Sequence, residues 1–218
     1  MAYFDQHPNL ILPSFSPSRN SSRDSYITKN LFKRGKIRED FFQNAVSFEK
    51  YLVVGDDRPD NVAEEIYGDS ELDWVVLISN NILNVRDEWP MSQYDFQRYL
   101  DNKYDSVQLS QIHHYETTEI RDPDDKLLLQ SGLTVDADFT FSYSHGQTIY
   151  NVNKVTSVSY FQHEVNKNEA KRSIYLVRPE YVPTVISDMR EIMTYTDSSQ
   201  FINRKLKRGD NLRVLEPR

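Results

Sequence analysis

Apolar residues keep no period over the first fifty positions of this chain, then take a helical one, then an alternating one, and return to a helical one near the end. In residues 1–25, Pro8, Pro13 and Pro17 are interleaved with Ser and Asn, so neither helix nor strand is predicted and the stretch reads as an extended arm. Its apolar groups Tyr3, Phe4, Leu10, Ile11, Leu12 and Phe15 are disfavoured in water, so the arm is expected to dock onto another protein or onto the rest of this one. Residues 26–50 mix apolar pairs with Lys33, Arg34, Lys36 and Arg38, and Gly35 interrupts any long helix. They read as a linker with short strands.

Tyr51 to Val54 form a brief β-type run. From Pro59, Val62, Ala63, Ile66 and Tyr67 share one helical face, and Gly68 is a natural left-handed stop. Ser70, with Asp73 three residues on, predicts the start of a second helix, whose apolar positions Leu72, Trp74, Val75, Val76, Leu77 and Ile78 cover most of its circumference and call for burial. Ser92 and Asp95 predict a third helix through about Leu100.

The period then shifts towards two. QIHHYETTEI, VDADFTFSYS, QTIYNVNKV and TSVSYFQHEV read as strands, with Ser144-His145-Gly146 as a hairpin turn and NKNEAKR as a charged link into the strand SIYLV. A last helix begins near Pro179, with Val182, Val185, Ile186, Met189, Ile192 and Met193 on its apolar stripe. The tail from Thr196 is polar and basic with isolated apolar anchors, Phe201 and Leu206 among them, and resembles the first arm in being made to lie on something. The expected fold class is α+β in four parts: arm and linker at 1–50, a helical module at 51–105, an antiparallel β region plus helix at 106–195, and a tail at 196–218.

Composition narrows the function classes. The absence of cysteine excludes a disulfide framework, a thiolate nucleophile and a cysteine zinc site. No apolar run approaches the roughly 20 residues of a membrane span, and the N-terminus lacks a signal-peptide pattern, so the chain is expected to be soluble and made in a cytoplasm. The net charge of −7 is uneven: residues 1–50 hold eight basic and five acidic groups, 51–105 hold four and 13, and 106–218 hold 14 and 15. Most of such a surface repels phosphate, so nucleic acid is not an expected partner.

The acidic block peaks in GDDRPDNVAEEIYGDSELDW, residues 55–74, with eight carboxylates. A hydrolase with paired carboxylates needs one acid in an apolar pocket beside a second that stays ionised. Here Asp57, Asp60, Asp69 and Glu71 fall at helix starts, where negative charge offsets the helix dipole, and Glu64 and Glu65 face outward. DDRPDNVAEEI also lacks the alternating ligands, central Gly and final Glu of a calcium loop. Adjacent His113 and His114 are expected to point to opposite faces of a strand, which keeps both from one metal. With no G-x-S-x-G and no phosphate-cradling glycine loop, no enzyme signature, cofactor or metal site is expected.

The segment YLVVGDDRPDNVAEEIYGDSELDWVVLISNNI resembles a LysM module: a strand ending in Gly-Asp, a helix closed by Tyr67-Gly68, a second helix and Asn80-Asn81-Ile82. The Trp89-Pro90 turn and the third helix stand where the closing strand of such a module would be. With YGDSELDW, Asp87-Glu88-Trp89-Pro90-Met91, Ile112-His113-His114-Tyr115 and Asn168-Glu169-Ala170-Lys171-Arg172-Ser173-Ile174 in order before Pro179-Glu180-Tyr181, the chain also resembles the baseplate wedge protein fifty-three family of T-even-type contractile-tailed phages. That resemblance implies a non-catalytic virion subunit in the tail baseplate. It would clamp core wedge proteins and join adjacent wedges, with the core wedge proteins and the sheath-initiating protein as partners.

It further implies a small βααβ-type LysM-like module acting as a docking platform through Asp57, Asp60, Glu64, Tyr67, Asp69, Trp74, Asn80 and Trp89, with both arms lying along neighbouring subunits. The alternative it leaves is a LysM-type peptidoglycan-binding module.

Overall fold

A computed structural model describes residues 2–14, 25–43 and 45–209, so Phe15 lies outside the described residues. The chain divides into two units, 1–89 with 173–218, and 90–172. Both contain helices and small, mostly antiparallel sheets, in keeping with the expected α+β class.

In the first unit, the helix Pro59–Tyr67 starts with Pro59 in its first turn and buries Val62 and Ala63. Gly68 ends it at φ 71° and donates its backbone N–H to Glu64 O at 3.0 Å. Nothing stands within 4 Å of the place a Cβ would occupy, so Gly68→Ala is penalised by the left-handed backbone alone. The expected loss is about 1 kcal/mol, measured by urea unfolding, with Gly68→Asn losing less.

The next turn corrects one expectation: Asp69, and not Ser70, is the cap, its side chain accepting from Glu71 N at 2.9 Å, and Ser70–Leu72 is a 3-10 turn. The helix Asp73–Ser79 follows and buries Trp74, Val75, Val76, Ile78 and Ser79, as its nearly all-round apolar pattern requires.

The strand Phe48–Leu52 pairs antiparallel with Ser173–Val177, from Leu52 opposite Ser173 to Phe48 opposite Val177. A strand–helix–helix–strand order thus closes on a partner about a hundred residues away in the chain. The strand beside Phe48–Leu52 thus comes from far along the chain, where the local sequence pointed only to the Trp89-Pro90 turn. Ile174, Leu176 and Val177 face the same apolar cluster as Val62, Trp74 and Val75, together with Val182, Val185, Met189 and Met193 from the helix Val182–Ile192 and its end.

The two ends of the chain share a second sheet in this unit. Its order is Phe201–Asn203, Leu206–Arg208, Asn9–Pro13, Ser25–Lys29, with Asn9–Pro13 parallel to Leu206–Arg208 and antiparallel to Ser25–Lys29. The expected extended arm is thus a short helix, Tyr3–Gln6, followed by a paired strand.

In the second unit, Ile112–Thr117 pairs antiparallel with Val155–Ser159 on one side and Thr134–Val135 on the other. Phe141–His145 and Thr148–Val152 form the predicted hairpin, with Gly146 at φ 62° in its turn. The helices Gln93–Lys103 and Tyr160–Ala170 complete the larger elements of this unit. The second of these replaces an expected strand and link: Ser159 accepts from Gln162 N at 3.2 Å, caps the chain and turns it helical at Tyr160.

Candidate functional site

The predicted docking residues of the first unit are held largely by their own fold. Trp74 is 3% exposed and Trp89 is 5% exposed. The Trp89 indole donates to Asp57 O at 2.9 Å, and the Tyr67 hydroxyl donates to Val177 O at the same distance. Burial pushes the Tyr67 phenol well above its ordinary range, so it stays a neutral donor. Asn80 donates to Tyr175 O at 2.8 Å and accepts from Tyr175 N at 2.7 Å, clamping the closing strand at two points. Asp60 pairs with Arg58 at 3.1 Å, and exposed Glu64 accepts from Ser70 N at 2.8 Å. Burial, with the Asp60 charge adding to it, raises the Asp73 carboxyl above its ordinary 3.8, while the bond it accepts from Trp74 N at 2.7 Å works the other way. These acids shape helix starts and leave a negative outer face.

The arm residues divide. Tyr3 packs back on the core, its ring 6.1 Å from that of Trp74, while Phe4 is exposed. Leu10, Ile11 and Leu12 are half-buried in the sheet of the chain ends, with Leu10 opposite Lys207 and Ile11 opposite Arg208 in the parallel pairing, and Leu12 opposite Tyr26 on the other side. Phe201 lies in the outermost strand of that sheet, half-buried.

At the opposite edge, Ser25–Lys29 pairs with no further strand among the described residues. Ile27 there is 64% exposed, and Leu31 and Phe32 just beyond are 66% and 97% exposed. An unpaired strand edge with a row of exposed apolar side chains is costly in isolation and is a template for another chain.

The second unit holds a charged network that the apolar pattern does not reveal. Glu164, its side chain 6% exposed, meets Lys103 Nζ at 2.8 Å, accepts from the Tyr104 hydroxyl at 2.8 Å and from the Tyr99 hydroxyl at 3.3 Å. Burial by itself raises the Glu164 carboxyl, but the hydrogen bonds from Lys103 and Tyr104 outweigh it and hold the group below its ordinary 4.5. Hydrogen bonds to Glu164 and Tyr99 hold the Lys103 ammonium well above its ordinary value. One turn on, Asn168 accepts from Met91 N at 2.8 Å and donates to Met91 O at 3.3 Å. The bonds of Lys103 and Tyr99 to Glu164 latch the helices Gln93–Lys103 and Tyr160–Ala170 together. The capping-box spelling Ser159-x-x-Gln162 is the sequence signal that marks the helix carrying Glu164.

His113 and His114 do not take opposite faces. The pairing places Val158 opposite His114 and Ser159 opposite Ile112, so His113 is the extra residue of a β-bulge. The bulge brings the two Nδ1 atoms to 2.8 Å, and the His163 ring stacks on His113 at 4.1 Å between centroids. His163 has its imidazole pKa lowered, chiefly by burial. A second group, Asp122, Asp124 and His145, gathers where the loop after Arg121 meets the hairpin.

Residues 17–123 match the family model described as Base plate wedge protein 53. No curated protein gives a significant match. No helix among the described residues is long and apolar enough to cross a membrane.

Proposed function

The chain belongs to the base plate wedge protein 53 family, and from that premise we propose that it clamps core wedge proteins and joins adjacent wedges while the baseplate assembles. Membership makes it a structural subunit of a large phage baseplate assembly in the virion tail. The finer role rests on one observation: the open edge of Ser25–Lys29 with exposed Ile27, Leu31 and Phe32. A partner segment adding to that edge gains main-chain hydrogen bonds from the strand and apolar contacts from the side chains. The core wedge proteins and the sheath-initiating protein are the proposed occupants, and the negative face around Glu64 favours a basic neighbour.

Purified chain mixed with the other wedge subunits is expected to co-elute with them on gel filtration. Ile27→Asp combined with Phe32→Asp is expected to abolish co-elution with little change in melting temperature, since both side chains are exposed. Complete rings formed equally well without the chain would sink the proposal. The closed strand–helix–helix–strand order of residues 48–79 and 173–177 favours a second reading as a LysM-type peptidoglycan-binding module. Enrichment of the chain on insoluble peptidoglycan would favour that reading, whereas the wedge role predicts none.

A further inference from the structure

Three imidazoles gather in the second unit, with donor atoms of His113, His114 and His163 all within 4.8 Å of one another. We propose that these three side chains form a binding site for a divalent transition metal of the zinc class, which pins the bulged strand Ile112–Thr117 to the helix Tyr160–Ala170. The proposal is independent of the role in the baseplate.

The bulge supplies two ligands from consecutive positions, which a regular strand cannot do. His163 comes from the first turn of the helix that continues Val155–Ser159, the strand paired with Ile112–Thr117, so both supports of the site belong to one hydrogen-bonded frame. Neutral imidazole is the common ligand for zinc, copper and nickel, and three nitrogens with a water in the fourth position make a complete tetrahedral set. Zn–N bonds of about 2.0–2.1 Å in a tetrahedron set nitrogens about 3.3 Å apart. The His113–His114 separation of 2.8 Å therefore has to open by about half an ångström, the wider spacings to close, and the stacked His113 and His163 rings to turn so that their in-plane lone pairs converge.

The surroundings favour the metal-binding tautomer. His114 Nε2 lies 2.8 Å from Glu116 Oε1, and a carboxylate can only accept, so Nε2 carries a hydrogen and Nδ1 presents its lone pair to His113. A ligand histidine whose far nitrogen donates to a carboxylate is the usual outer arrangement of metal sites. The bond between the two Nδ1 atoms holds one proton. The metal takes that proton's place, and the proton moves to His113 Nε2 or to solvent.

The unit also has reason to need such a staple. Its buried aliphatic side chains among the described residues are Leu100, Ile120 and Val158, and none of its residues belongs to the apolar cluster that holds the first unit together. A small unit with so little apolar interior gains stability from any cross-link that exists only in the folded state.

Untagged full-length chain, stripped with EDTA and titrated with Co2+, is expected to develop the visible bands of tetrahedral cobalt and saturate at one ion per chain. Zn2+ is expected to displace the cobalt and to raise the melting temperature. His114→Ala and His163→Ala are each expected to lose the bands while keeping the far-UV circular dichroism of the wild type. Glu116→Gln is expected to weaken binding about 10- to 100-fold. His145→Ala, in the separate acidic group, is expected to bind as the wild type does. Wild-type chain that stays spectrally silent with Co2+ and leaves gel filtration free of zinc would overturn the proposal without recourse to any variant. So would full uptake by folded His114→Ala, or loss of uptake in His145→Ala alone.

Discussion

Replacing Trp74 with alanine is expected to lower the unfolding free energy by about 3–5 kcal/mol. The indole is 3% exposed and packs in the cluster formed by both helices of Pro59–Ser79, the strand Ser173–Val177 and the helix Val182–Ile192. Removing it leaves a cavity that several elements would have to collapse into together, and each is anchored elsewhere: Tyr67 by its bond to Val177 O, and Asn80 by its two bonds to Tyr175. Incomplete relaxation keeps the loss near the upper end of the large-to-small range. A domain has about 5–15 kcal/mol of stability in all, so the urea midpoint should fall steeply. An unchanged midpoint would mean that the ring is not a core element and would return it to the candidate docking face.

Lys103→Met is the second large effect. It leaves the Glu164 carboxylate, 6% exposed, without its counter-ion, and a buried charge that loses its partner costs several kcal/mol. Because the Lys103 side chain is itself 41% exposed and solvent screens the pair, we expect about 3 kcal/mol at most. The pH dependence identifies the cause. In the wild type the Glu164 carboxyl is held below its ordinary 4.5, so its contribution is present above about pH 4.5 and is lost as the pH falls through the lower folded value.

The Lys103 ammonium is held above its ordinary 10.5, so its contribution is present below about pH 10.5 and is lost as the pH rises through the folded value. In Lys103→Met the alkaline loss disappears. Burial, opposed mainly by the Tyr104 hydroxyl, then raises the Glu164 carboxyl, and the acid limb reverses: stability falls as the pH rises through that value. Parallel urea curves for the two proteins between pH 3 and pH 7 test this, and an identical acid limb in both would show that Lys103 does not hold Glu164.

Local periodicity made the Pro59–Ser79 helices legible, because a 3.6-residue stripe, a Pro start and a Gly stop all agree there. A period of two and the Ser144-His145-Gly146 turn likewise made the hairpin of Phe141–His145 with Thr148–Val152 legible. Such local signals failed for Tyr160–Ala170 because the buried positions of that helix are Glu164 and Asn168, so the side facing inward is polar and carries no apolar stripe. They were silent on which strand pairs with Phe48–Leu52, since alternation shows that a strand exists and not where its partner lies. The histidine site was misread for a related reason. Alternation of faces holds for a regular strand, and a bulge of one residue at His113, set by pairing with a distant strand, reverses it. Asn80 was legible as part of a motif, but its task of gripping the backbone of Tyr175 needed the tertiary structure.

The sheet shared by the chain ends has a consequence for the order of events during synthesis. Asn9 pairs with Leu206 and Ile11 with Arg208, so the parallel pairing cannot form until Arg208 has left the ribosome. Contacts between residues so far apart along the chain are also the slowest to close. Ser25–Lys29, which depends on Asn9–Pro13 for its own pairing, is therefore set in its final frame late, and a chain lacking Leu206–Arg208 would present an incompletely supported edge to its neighbours. The open edge of the sheet is thus governed by residues far downstream of it in the chain.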